Sequence, residues 1–323
     1  MHNFFAEPSD KNVCPESRLS EMSQENTCIS HRSSYISPMY LPVDTKDPVA
    51  VENEVQAVYL AMFPQGDPMF VPTALVWIKD CFAGRYKDYQ ASDARYHDLE
   101  HTLQGTLCMA RLLHGRHLAD ATPVVTQSAH QLGLLAILFH DAGYLKKKGD
   151  TGGTGAKYTL THVTRSVQFA GEFLEEKGLP VKDILSVQNM IRCTGVNVDL
   201  SRIPFQNELE QTVGFALGTA DLLGQMAAED YVEKLPTLFS EFDESARFYE
   251  GKMALTESFC SAADLMQKTP AFWKTYVLPK ISNEFWGLYR FLNQPYPSGP
   301  NEYLQRIEAN IAKVQKQLAA TSV

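Results

Sequence analysis

The sequence has no two cysteines at Cys-x-x-Cys spacing. Its six cysteines, Cys14, Cys28, Cys81, Cys108, Cys193 and Cys260, are scattered through 323 residues. That excludes a cysteine-based zinc site and fits reduced thiols in a cytoplasmic protein. No apolar run approaches the ~20 residues needed to cross a bilayer. The opening residues Met1-His2-Asn3-Phe4-Phe5 carry neither the charged nor the long apolar segment of a secretory signal. Positive charge is in deficit, with 29 Lys and Arg against 38 Asp and Glu and a net charge of −9. There is no basic stripe or polybasic tail, so neither a nucleic-acid polymer nor an anionic membrane is an expected partner. The glycine-rich run Gly149 to Gly155 is not followed by Gly-Lys-Ser/Thr, so it is no P-loop. It reads instead as a mobile lid or a surface loop. No repeat of fixed period and no hairpin signal occur.

What is present is helical periodicity. The chain is 44% hydrophobic, enough for one large domain or two small ones. Residues 1 to 47 are rich in Ser, Asn, Glu and Pro and read as a disordered leader. From Pro48 the pattern predicts an all-α domain running to residue 323, with a motif-bearing core over about 90–230 and a C-terminal helical extension over about 231–323. Val51, Val55, Val58, Tyr59 and Met62 mark the first apolar face. Helices are expected from Pro72 to Phe82, Tyr96 to Leu113, Thr126 to Phe139, Thr161 to Lys177, Lys182 to Arg192 and Asn207 to Met226. More follow over Tyr231 to Phe239, Met253 to Gln267, Pro270 to Asn293 and Asn301 to Ala319. Gly84 to Arg95 reads as a polar connector. The C-terminal helices either wall a pocket or form a homodimer face. Trp77, Trp273 and Trp286 read as core, and His114, His117 and His130 as surface or loop.

The chemistry concentrates where a buried helix ends. Gly133 to Phe139 is apolar or small throughout and stops on His140-Asp141. Burying such groups unpaired costs roughly 2–7 kcal/mol for a polar group and more for a charge. A divalent metal offsets that cost, and imidazole nitrogen and carboxylate oxygen are ordinary ligands for it. In Tyr96-His97-Asp98-Leu99-Glu100-His101 two histidines stand four apart, the spacing that shares a helix face. Asp221 is set in an apolar helical stretch, which argues against a capping role. His162 adds a further polar candidate.

The ordered set His101, His140-Asp141, Asp221 resembles the HD superfamily of metal-dependent phosphohydrolases. Tyr96 to His101 looks like the Tyr-His-Asn-x-x-His signature of the cyclic nucleotide phosphodiesterases within it. Asp98 stands where Asn is usual, and Ala142-Gly143-Tyr144 follows where His-Pro-Gly is common. The resemblance spans roughly residues 90 to 230. It implies that His101, His140, Asp141 and Asp221 ligate a first metal and that Asp141 reaches toward a second. It places His97 at the general-acid position.

Metals of this kind lower the pKa of a bound water and neutralise phosphoryl oxygens. An imidazole titrating near neutral pH suits protonation of the leaving alkoxide. The expected cofactor is one or two divalent ions from among Mn, Fe, Mg, Zn, Co and Ni. The expected substrate is a small nucleotide-type phosphoester, with a cyclic nucleotide first. His162 contacts the phosphate or a second metal, or else caps its helix. Arg165 pairs with the phosphate or closes a salt bridge. Lys146, with Lys147 and Lys148, draws in the anion or forms a solvated face. Asp98 orients a histidine or lies at the surface. Three other readings stay open: a di-iron oxygenase on the same scaffold, a nucleotide-sensing protein with a vestigial metal site, and a structural helical protein with chance histidines.

Overall fold

The computed structural model describes residue 40 and residues 42–196, 198–250 and 259–321. Every described residue belongs to one compact unit, Ser37–Val323. Residues 1–39 of the expected leader, with Cys14, Cys28, His2 and His31, lie outside the described residues. The leader's described end is packed rather than loose. Tyr40 donates its hydroxyl to the Arg111 carbonyl at 3.2 Å, and the Arg111 guanidinium stands 4.7 Å from its ring.

The described residues form ten α-helices and no strand, with three isolated backbone bridges. Helix α1 (Pro48–Met62) begins where Asp47 accepts the Val49 N–H and Pro48 fills a position that needs no donor. Its buried face is the expected set of Val51, Val55, Val58, Tyr59 and Met62. Helix α2 spans Phe70–Phe82, α3 Leu99–Leu118 and α4 Gln127–Phe139. Helix α5 spans His162–Glu176, α6 Val181–Ile191 and α7 Glu208–Met226. Asp98, Thr126 and Asn207 open α3, α4 and α7 by accepting an orphan N–H from the first turn. The chain ends with α8 (Tyr231–Tyr249), α9 (Ala262–Phe272) and α10 (Glu302–Thr321).

Helices α3 and α7 are the central pair, packed on each other more extensively than any other two. A Cβ at Gly224 would stand 2.8 Å from the Gln104 backbone, so here the helices touch main chain to main chain. This contact lies one turn along from Asp221 on α7 and from His101 on α3. Helix α4 packs across both partners. Its Leu134, Leu135, Ile137, Leu138 and Phe139 are all buried. At roughly 1.5–3 kcal/mol for each such side chain, that burial outweighs the cost of carrying a polar pair inside. Helix α5 lies on α6 and on the short turn Ala142–Tyr144.

The structure departs from the periodicity in three places. Helix α3 starts at Leu99, so His97 precedes the cap instead of sitting on the helix. Helix α8 runs ten residues past Phe239 because its buried face continues in polar residues, Glu241 and Ser245, which hydropathy does not register. The expected Pro270–Asn293 helix is broken up. After α9 the chain makes two π-type turns and a 3₁₀ turn, in keeping with Pro279, which has no N–H, and Gly287 at φ +68°. Residues 251–258 of the expected Met253–Gln267 helix lie outside the described residues. Trp77 and Trp273 pack as expected, whereas Trp286 is 46% exposed.

Cys81, Cys108, Cys193 and Cys260 are free thiols. No described helix is long and apolar enough to cross a membrane.

Candidate metal centre

Helix α4 delivers His140 at its C-terminal boundary, and Asp141 opens the turn that follows. Both side chains are buried. His140 Nδ1 lies 2.7 Å from the Ile137 carbonyl, so Nδ1–H donates there and Nε2 is left as a lone-pair nitrogen. His101 stands in the first turn of α3. Asp98 accepts the His101 N–H at 3.0 Å, so this carboxylate sets the helix start from which His101 projects. Asp221 comes from the middle of α7.

These four side chains converge. His101 Nε2 is 3.1 Å from Asp141 Oδ2 and 3.4 Å from Asp221 Oδ1. His140 Nε2 is 3.3 Å from Asp141 Oδ2 and 3.4 Å from Asp221 Oδ1. The ligand atoms of His101, His140 and Asp141 all fall within 4.8 Å of one another. His140 Nε2 and Asp141 Oδ2 are buried with no hydrogen-bond partner among the described residues. Two imidazole nitrogens and two carboxylate oxygens aimed at one point, two of them unsatisfied there, fit a divalent first-row cation.

The electrostatics agree with that geometry. Burial is the strongest single influence on His101 and pushes its pKa down. The carboxylates of Asp141 and Asp221 facing the ring outweigh it and hold the pKa at about 10. His140 is raised by the same contest between burial and the two carboxylates. Burial pushes Asp141 and Asp221 up, yet the facing imidazoles hold both below the ordinary carboxylate range. The cluster therefore favours positive charge between its members, supplied by protons or by a metal cation.

A second layer of rings lies beside the four. Tyr144 stacks against both His97 and His162, with centroids at 4.5 Å and 4.9 Å. His162 Nδ1–H donates to the Thr159 carbonyl at 2.6 Å, and its Nε2 is 3.8 Å from Asp141 Oδ1. This is where a ligand for a second ion would stand. Burial lowers the His162 pKa against the pull of Asp141, which keeps that nitrogen available. His97 is held from outside the core motif. Its Nδ1 lies 2.6 Å from Glu241 Oε2, and the other oxygen of Glu241 accepts the backbone N–H groups of Arg95 and Tyr96 at 2.7 and 2.8 Å. With Nδ1–H given to the carboxylate, His97 Nε2 has no partner among the described residues. The side chains of His97, His162 and Asp221 keep 13, 18 and 12% exposure, against 1 to 4% for His101, His140 and Asp141. A ligand therefore reaches the centre from their side.

Lys146 and Arg165 are both engaged by neighbouring groups of the chain. Lys146 Nζ pairs with Asp93 at 2.7 Å and donates to the Gly153 carbonyl at 2.6 Å. Arg165 donates Nε to the Gly143 carbonyl at 2.6 Å and Nη2 to the Leu145 carbonyl at 2.8 Å. It braces the turn after Asp141 rather than reaching toward the four ligands. Gly143 is required in that turn, because a Cβ there would stand 2.0 Å from the His162 carbonyl.

His130, expected at the surface, is buried. Glu241 and Tyr144 escaped sequence reasoning. Glu241 lies over 140 residues from His97, and Tyr144 carried no motif.

A model of the Npun_R2479-like family matches residues 77–316, about three quarters of the chain and the whole of this site. No curated protein matches the sequence.

Proposed function

The chain belongs to the Npun_R2479-like family, and from the geometry of its buried centre we propose that it is a metal-dependent hydrolase of small phosphoesters. The observation that carries this reading is the convergence of His101 Nε2, His140 Nε2, Asp141 Oδ2 and Asp221 Oδ1 with no other polar partner for two of them. Those four residues would hold the ion, and His162 with the second oxygen of Asp141 is placed for another. Such an ion supplies Lewis acidity toward phosphoryl oxygens and lowers the pKa of water.

The chain's own residues do the rest. Glu241 fixes the His97 ring through Nδ1 and turns Nε2 toward the open side. His97 Nε2 then delivers its proton to the leaving oxygen of the ester. Tyr144 keeps the His97 and His162 rings parallel, so both stand at the exposed side of the centre where substrate enters. Nucleotide-type esters are the proposed substrates, cyclic nucleotides first, in a cytoplasmic setting that matches the reduced thiols.

The test is turnover of cyclic AMP, cyclic GMP, 2′,3′-cyclic nucleotides, nucleoside mono- and triphosphates and an aryl phosphodiester with added Mn²⁺. It is run beside Asp141→Ala, with metal content measured on both proteins. The expected outcome is turnover and bound metal in the parent, and neither in a folded Asp141→Ala. Equal turnover by the two proteins would overturn the assignment.

The position of His162 beside Asp141 favours one second reading. A five-residue His and Asp set also suits a di-iron oxygenase, which would show bound iron and oxygen consumption with no phosphate release.

A further inference from the structure

The glycine-rich segment and the lysine run after Asp141 border a separate cavity of about 250 Å³. None of the four convergent ligand side chains lines it. Tyr89 and Phe169, both buried with ring centroids 4.9 Å apart, give it an apolar wall. Arg165 and Lys147 give it positive charge. Arg165 uses Nε and Nη2 on backbone carbonyls, and its Nη1 has no hydrogen-bond partner among the described residues. The Arg165 guanidinium is stacked 3.5 Å from the Tyr158 ring centroid, which fixes its plane. Lys147 makes no ion pair among the described residues, and its ammonium rests 5.6 Å from the Tyr89 ring centroid. The carboxylate that lines the cavity, Asp150, is already answered by Lys157 and by the Tyr158 hydroxyl. Two cations thus line an apolar-walled cavity whose one lining carboxylate is already paired, in a chain of net charge −9.

We propose that this cavity binds a small organic anion. Its phosphate or carboxylate head pairs with Arg165 and Lys147, and its compact apolar or aromatic body lies on Tyr89 and Phe169. Pockets for drug-sized ligands run from about 300 to 1,000 Å³, so the cavity takes a molecule smaller than a nucleotide. A planar guanidinium already held by two carbonyls and a ring loses little freedom on binding, which favours an anion at its open edge. The site stands independently of the hydrolase reading, since no metal ligand contributes to it.

Isothermal titration of the full chain, dialysed against EDTA, with phenyl phosphate, benzoate and inorganic phosphate tests this. The expected result is saturable one-site binding of at least one aryl anion, tighter than inorganic phosphate. Lys147→Met removes a charged contact and Gln168→Trp places an indole at the cavity. Each is expected to weaken binding by about tenfold or more. Both side chains are exposed, so neither change disturbs the core. The proposal is overturned if neither aryl anion binds saturably, if neither substitution weakens binding, or if binding appears only after metal is restored.

Discussion

His130 offers a test of the fold that depends on no assumption about function. It is buried on α4 against Tyr59 and Phe63, with ring centroids at 5.6 and 5.5 Å, and neither ring nitrogen has a hydrogen-bond partner among the described residues. Burial pushes its pKa down from 6.5 to about 4. The folded state therefore keeps a neutral imidazole where the unfolded chain takes up a proton. The stability this group contributes is complete above about pH 6.5 and is lost progressively as pH falls toward 4. At 1.36 kcal/mol per pH unit, the whole displacement is worth about 3 kcal/mol, and the part between about pH 6.5 and 5 about 2 kcal/mol. His130→Phe keeps an aromatic ring and removes the titration.

Urea unfolding of both proteins near pH 7.5 and pH 5 reads the difference, because all other titrating groups are common to the pair. The parent is expected to lose about 2 kcal/mol more than the variant between the two conditions. The variant is expected to be at least as stable as the parent near pH 7.5, since two unsatisfied buried nitrogens are gone. Parallel loss of stability in the two proteins would refute a neutral, unpartnered imidazole in the core.

Glu241→Gln keeps the shape of the side chain that holds His97 but removes its charge. A hydrogen bond to a charged group is worth about 1.5–3 kcal/mol, so kcat is expected to fall by roughly 10- to 150-fold. Metal content should stay unchanged, and a loss of metal instead would place Glu241 in the ion site. Asp98→Ala removes the cap that accepts the His101 N–H. It should cost about 1 kcal/mol in thermal or urea melts, and an unchanged midpoint would mean that the first turn of α3 is held by other contacts.

The helices that proved legible are those whose buried face is apolar. Val51, Val55, Val58, Tyr59 and Met62 declared α1, and Gly133 to Phe139 declared α4, because burial there is written in residue type. The second half of α8 was not legible, because Glu241 and Ser245 are buried polar residues whose partners lie far away in the chain. Lys146 illustrates the converse. Its charge suggested an anion, yet its ammonium is held by Asp93 and Gly153. His130 followed the same logic, since a histidine's type does not say whether it is wet or dry.

The sequence by itself determined the all-helical class and named the four side chains that converge. Local periodicity sets a helix, and a polar pair ending a buried helix demands a partner. Only the tertiary structure decided that α3 and α7 touch main chain to main chain at Gly224, which brings His101 and Asp221 within 3.4 Å. It alone put Glu241 behind His97 and Tyr144 against both imidazoles. Those contacts join residues remote in the chain, and their geometry exists only once the helices have packed.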